Sequence, residues 1–210
     1  MWRFDADAIG PAGHPEDILA PFRQRGGALV ATTLVLPYLE ALRPDLVAMV
    51  AADRWLHRPE FRAAERALAL LRTLGLLTGA LVLVETADPH HPVIRAAGAS
   101  SLKAFYADEL QVRRTLGYPP YRALAVVEVA ARSSQVADGV AARLVASATA
   151  ETEVLGPMWM RRSPGPLIRC RFVIKAADRE TIASMLVPLM VDRSLPSSAR
   201  VTADVDPAEL

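Results

Sequence analysis

One cysteine, two lysines and almost no net charge set the first limits on this chain of 210 residues. Cys170 alone leaves no internal disulfide and no cysteine-based zinc site within the chain, and it suits a reducing cytoplasm. The 24 basic and 23 acidic side chains give a formal charge of +1, so no whole-molecule field steers the protein toward DNA or an anionic membrane. Any nucleic-acid surface has to be a local patch. Residues 1–97 hold 10 arginines against 11 acids and residues 98–210 hold 14 basic residues against 12 acids, so the second half is slightly basic. The basic residues other than Lys103 and Lys175 are arginines, which we read as genome composition. The opening Met1–Asp7 has neither a basic n-region nor an apolar h-region, so no export signal is expected. What is abundant is apolar residue, 52%, enough to bury a sizeable core in one or two domains.

The longest apolar run, ALALLRTLGLLTGALVLV at 67–84, is at the lower limit for spanning a bilayer. Arg72 in its middle and the stop signals Gly75 and Thr78-Gly79 favour a soluble helix at 59–75, a turn, and a strand at 80–85. Before it, WRFD reads as a short strand. PEDILAPFRQRGG reads as a helix opened by Pro15 and closed by Gly26 or Gly27. GALVATTLVL and PDLVAMVAAD have the apolar, β-branched character of strands buried on both faces of a parallel sheet. Strands alternating with helices imply βαβ units, with Asp53 at a strand's carboxyl end, where such folds place ligands.

Pro92–Leu116 reads as helical and stops at GYPPY, because the residue before a proline is pushed out of the helical region. After it the expected order is strand 122–131, helix 134–150 opened by Ser133-Ser134, strand near 153–156, strand 167–175, helix 178–191 capped by Asp178, and strand 199–205. That βαββαβ order is the ferredoxin-like, split βαβ pattern. The fold class expected is thus α/β plus α+β, divided as 1–96, a linking helix and GYPPY boundary at 97–121, and 122–210.

FYADELQVRRTLGYPPY at 105–121 resembles the C-terminal part of the primosomal protein N′, or PriA, replication-restart family. The likeness runs along the chain: RFDAD at 3–7, RGGALVATT at 25–33, the strand ending at Asp53, PEFRAAERA at 59–67 and ETADPHHPVI at 85–94. It continues through Glu109 with Arg113 before LGYPPY, VLGP at 154–157, Arg169 with VIK at 173–175, and DVDP at 204–207. The resemblance implies the end of a RecA-like helicase lobe 2 over residues 1–96, followed by the family's C-terminal domain. It also implies a bacterial, nucleoid-associated protein that binds branched and single-stranded DNA at stalled forks and D-loops. Its implied partners are single-stranded DNA-binding protein and the replicative helicase or its loader. Typical members use ATP and zinc.

Two stretches depart from the family. Where it has a Gly-Thr-Gln segment and a Lys-Gly-x-Asp type stretch, this chain reads VATTLVLPYLEALRPD. Where it has a Gln-x-x-Gly-Arg-x-Gly-Arg segment whose arginines reach the γ-phosphate, this chain reads LALLRTLGLLTGALVLV, with Arg72 the sole candidate finger. The expectation is therefore a degenerate helicase with no catalytic residue, and neither ATP nor zinc held by this chain. The alternative is an active 3′ to 5′ helicase completed by an N-terminal lobe, which an upstream Gly-x-x-x-x-Gly-Lys-Thr loop would favour.

For DNA the candidates are Arg161, Arg162, Arg169, Arg171 and Lys175, five bases in 15 residues without an acid, with Trp159 as a stacking surface. Arg179, opening a helix after Asp178, stands where the family holds the acidic tail of single-stranded DNA-binding protein. The polar neighbour expected a turn later is Ala183 here. Asp88, His90 and His91 lack a third strong ligand and read as a loop cap rather than a metal site. Ser100 and Ser101 have no nucleophile motif, and Glu109 with Arg113 reads as an i,i+4 pair in a structural role.

Overall fold

The computed structural model describes residues 1–58, 60–160, 167–192 and 195–207. The chain divides into two compact units: Met1–Arg58 with Ala63–Leu102, and Pro59–Arg62 with Lys103–Leu210. The linking helix expected between two domains thus belongs to the second unit. Among the described residues no helix is long and apolar enough to cross a membrane.

The first unit contains two parallel strand pairs. β1 (Trp2–Phe4) pairs with β2 (Leu29–Ala31), and β3 (Leu46–Met49) with β4 (Leu81–Val84). Between them lie α1 (Ala6–Ile9), α2 (Glu16–Arg25, ended by Gly26 as expected), α3 (Leu39–Leu42), α4 (Asp53–Leu56) and α5 (Ala63–Thr78), and α6 (Pro92–Ala97) follows β4. Phe4, Leu19, Leu68, Leu71 and Val93 are buried in it.

Four expectations change. The segment after β2 is a 3-10 turn at Thr33–Tyr38 rather than more strand; it begins with Val35 N–H donating to the Thr32 carbonyl and contains Pro37, which has no amide for a sheet ladder. α5 does not stop at Gly75: that glycine faces β4, where an added Cβ would lie an ordinary 3.9 Å from Val82 Cγ2, and the helix ends at Gly79 with φ +60°. The stretch expected to be one helix is broken after Ala97 at Gly98-Ala99-Ser100-Ser101. β3 and β4 are covered on one face only, the side of Val47, Met49, Val82 and Val84. Leu46, Leu81 and Leu83 on the other face are more than half exposed, because within this unit α5 packs against one side of the two-stranded sheet.

The second unit opens with α7 (Lys103–Leu116) and the Pro119-Pro120 turn, which contains a cis peptide. Then come β5 (Ala123–Ala131), α8 (Ser134–Ala146), β6 (Thr152–Trp159), β7 (Ile168–Ala176), α9 (Arg179–Met190) and β8 (Ala199–Val205). The order is βαββαβ, and the four strands form one antiparallel sheet in the order β6-β7-β5-β8. Alternate residues of the inner strands, Ala125, Val127 and Val129 with Cys170, Phe172 and Ile174, face α8 and α9 and form the core with Val140, Leu144, Ile182 and Leu186. This period-2 pattern was visible in RALAVVEVAA and LIRCRFVIK, and the helix starts at Ser133 and Asp178 are real N-caps. A shift of register at Leu155/Met158 lies at Gly156, whose φ is +131°. A Cβ there would stand 2.9 Å from the Arg171 carbonyl oxygen and 2.9 Å from Phe172 Cδ1. Gly156→Ala is therefore expected to lower the unfolding free energy by about 1–3 kcal/mol, read from chemical denaturation. A change below about 0.5 kcal/mol, the ordinary surface value, would contradict this geometry.

Candidate nucleic-acid and partner interface

The sheet's second face is built by the residues that alternate with the core. Register places Arg171, Glu128 and Thr202 in one row across β7, β5 and β8, and Arg169, Ala130 and Arg200 in the next. Met158 continues the first row on β6. Neighbouring strands lie about 4.8 Å apart, so Arg169 and Arg200 flank Ala130 with roughly twice that between their Cα atoms. Arg169 Nη1 is 2.6 Å from Glu128 Oε1, and Arg171 Nη2 is 3.6 Å from Glu128 Oε2. One carboxylate thus serves two guanidiniums, each about 30% exposed, and the Nε atoms of both lack a partner. Arg200 is exposed, as is Arg132 just past β5. This end of the face keeps a surplus of positive charge, shaped by strands rather than by mobile side chains alone.

Trp159 ends the edge strand β6; paired with Cys170 it alternates to the helix side of the sheet, whereas Met158 lies on the arginine side. It is 40% exposed and lies between the exposed Met158 and Met160. Arg161 and Arg162 lie outside the described residues.

At the opposite end of the sheet the same face is closed. Leu124 and Val126 are buried, and Lys175, only 5% exposed, donates from Nζ to the Leu116 carbonyl at 2.9 Å and sits 4.3 Å over the Tyr118 ring. The structure thereby removes Lys175 from the phosphate-binding set: its ammonium is an internal fastener between β7 and the end of α7. Beneath it, the Arg113 guanidinium bonds Glu109 at 2.9 Å and donates to the carbonyls of Pro119 and Phe61 at 3.4 Å each, with the Phe61 ring stacked on Tyr118. This agrees with a structural role for the pair.

Arg179 begins α9 at that closed end. Its helix is started by Asp178, whose carboxylate accepts from the Thr181 N–H and hydroxyl at 2.8 Å each. These bonds, the N–H first, hold the Asp178 carboxyl below its ordinary range. A depressed carboxyl stabilises the fold above the ordinary carboxylate range and ceases to do so as pH falls through its folded value. Asp178→Ala is accordingly expected to lower the melting temperature at pH 7, with the gap to the parent narrowing below about pH 4. A gap constant down to pH 2 would contradict it. The Arg179 side chain is 74% exposed and pairs with Asp206 through Nε and Nη2. Pro119, Pro120, Arg62 and Arg122 line an open cleft beside the two. Ala183, one turn on, offers no polar group.

The remaining candidates are structural. Arg72 Nη1 donates to the Ala99 carbonyl at 3.2 Å, tying α5 to the turn that follows α6. Asp53 accepts from Thr86 Oγ1 at 2.7 Å and Ala87 N–H at 3.0 Å, which lowers its carboxyl, the Ala87 bond most. It joins the ends of β3 and β4. His91 Nδ1 accepts from Val93 N–H as the N-cap of α6, and Asp88 accepts from His90 N–H. Among the described residues no three histidine, cysteine, aspartate or glutamate side chains are grouped as metal ligands. The donor set for the zinc of typical members does not fit: Cys170 is in the core, and burial pushes its thiol up to about 11. Arg72 and Asp53, the two residues of the first unit considered for a ligand, are both hydrogen-bonded to the protein's own groups. Arg200 was missed because the row it shares with Ala130 and Arg169 is set by the register of the sheet; only the alternation in ARVTADV hinted at its face.

Residues 114–208 match the family model described as the primosomal protein N C-terminal domain. The chain is also similar to replication restart protein PriA of Bacillus subtilis, at 30% identity over 202 residues, covering 90% of this chain and 25% of that protein. To the Treponema pallidum protein of the same name it is 27% identical over 219 residues, covering 99% and 33%. To the probable replication restart protein PriA of Deinococcus radiodurans it is 33% identical over 219 residues, covering 99% and 22%. The chain thus spans between about a fifth and a third of the length of these curated relatives.

Proposed function

We propose, because residues 114–208 match the primosomal protein N C-terminal domain and the chain is similar over most of its length to part of the replication restart proteins, that it binds branched and single-stranded DNA in replication restart. In this role it acts at the bacterial nucleoid as a scaffold for replication proteins, without ATPase activity of its own. The observation that carries the proposal is the open half of the sheet face: Arg169, Arg171 and Arg200 on one face with Glu128 shared by the first two, next to the edge strand β6, whose last residue Trp159 is exposed at the rim with its register on the other face. Guanidiniums on rigid strands can hold successive phosphates while the indole stacks on an unpaired base at a fork. The βαββαβ order and the strand order β6-β7-β5-β8 support reading the second unit as ferredoxin-like, and the parallel strand pairs support reading the first as the remainder of a RecA-like lobe 2. The absence of ATPase activity is supported by the apolar α5 in place of the arginine-rich segment and by the engagement of Arg72 with Ala99.

The second part of the proposal assigns Arg179 to the acidic tail of single-stranded DNA-binding protein, and the scaffold's product to the replicative helicase or its loader. An exposed guanidinium beside a cleft suits a carboxylate. The test of the DNA reading is fluorescence anisotropy of a labelled three-way fork with a free 3′ end, compared with linear duplex, at two salt concentrations. Fork preference that weakens with salt is expected, since phosphate contacts release counterions. No binding, or binding insensitive to salt, would overturn it.

A further inference from the structure

We infer that Asp206 is an internal competitor for the carboxylate site of Arg179, so that the chain's own C-terminal segment sets the affinity for an acidic peptide; this rests on reading Arg179 as the partner contact. Nε and Nη2 form the side edge of a guanidinium, the edge that grips a carboxylate with two parallel bonds. Both meet Asp206 Oδ2. The edge an external carboxylate would use is therefore already engaged by a carboxylate of the same molecule.

Three features show that Asp206 is placed rather than passing by. Its backbone N–H donates to the Leu124 carbonyl at 2.7 Å, extending the β5–β8 pairing by one residue. Its φ is +53°, a left-handed conformation that aspartate and asparagine tolerate better than most residues. Its side chain is 21% exposed whereas that of Arg179 is 74% exposed, so the carboxylate is set into the surface and the arginine lies over it. Of the two other cationic groups that line the cleft, Arg122 bonds Glu153 at 3.2 Å and the Lys175 carbonyl at 3.3 Å, and Arg62 is half-buried with its guanidinium 5.0 Å from the Phe61 ring centre. Arg179 is the exposed guanidinium of the three that an incoming carboxylate meets, and the carboxylate must displace Asp206 to take both bonds of that edge.

An exposed ion pair is a modest competitor, which makes the effect a tuning one. In anisotropy titrations of the 210-residue chain with a labelled ten-residue acidic tail of a bacterial single-stranded DNA-binding protein, Asp206→Asn is expected to tighten binding about fivefold at low salt. The gain should shrink at high salt. Asparagine keeps the left-handed turn and the side chain's size; Asp206→Ser serves as a second variant if the first unfolds. Arg179→Ala should weaken binding in both backgrounds and abolish the difference between them. Equal affinities of the parent and Asp206→Asn, with Arg179→Ala still weakening both, overturn the competitor and leave the Arg179 reading standing. Binding untouched by Arg179→Ala, or absent from every variant, overturns both.

Discussion

Arg113→Ala lowers the unfolding free energy of the second unit by about 3–5 kcal/mol, the range for removing one partner of a buried ion pair. Arg113 and Glu109 have side-chain exposures of 8% and 14%, so solvent screens their attraction little. The alanine leaves the Glu109 carboxylate half-enclosed without its cation, and it leaves two carbonyls, Pro119 and Phe61, short of a donor. It also removes a cation 5.2 Å from the Phe61 ring centre. Arg113→Lys should recover only part of the loss, because an ammonium cannot reach a carboxylate and two carbonyls at once in the planar fork arrangement. Urea denaturation followed by circular dichroism measures all three proteins. A loss under about 1 kcal/mol for the alanine variant would mean the pair behaves as an exposed one and the α7 end is not held as described.

The second large effect is on DNA. Replacing Arg169, Arg171 and Arg200 together by alanine is expected to weaken fork binding about a hundredfold at low salt, if each contributes about 1 kcal/mol after parting from Glu128. Removing three phosphate contacts should also flatten the plot of log affinity against log salt by about two, at roughly 0.7 per phosphate on a single strand. Trp159→Ala should behave differently. Loss of one stacked base costs about 1–3 kcal/mol, falls on forks with a single-stranded arm more than on duplex, and leaves the salt slope unchanged. If the triple variant keeps both affinity and slope, the three arginines and Glu128 are an ordinary solvated network, and the DNA contact lies elsewhere. Lys175→Gln provides the contrast. It should leave the salt slope alone and lower stability, because its ammonium is bonded to Leu116 inside the protein.

Legibility followed the range of the interactions. The second unit was readable nearly element by element because its signals are local: two-residue alternation in β5 and β7, Ser133 and Asp178 as N-caps, and the double proline as a boundary. The same alternation put Arg169 and Arg171 on one face. What it could not reach was the opposing Glu128, 41 residues from Arg169, or Asp206, 27 residues from Arg179. Lys175 shares the face of Arg171 by period but not its environment, because Tyr118 closes that end and lies on a different element. In the first unit the misreadings came from residues with two uses. Gly75 reads as a stop, yet it is tolerated in α5 where the helix passes β4. Thr33-Leu34-Val35-Leu36 has strand composition, yet it turns immediately before Pro37.

The division of the chain bears on how it can be taken apart. Phe61 and Arg62 belong by contact to the second unit, although 40 residues of the first unit, Ala63–Leu102, separate them from Lys103. A boundary drawn at the obvious place, before α7, would therefore release a fragment without the ring stacked on Tyr118 and without one acceptor of Arg113. Two units are present in space, but no single cut in the sequence yields the second one whole. Limited proteolysis between α6 and α7, or gene dissection at that point, produces an incomplete piece, whereas grafting Glu60–Arg62 ahead of Lys103 through a flexible linker would restore its missing edge.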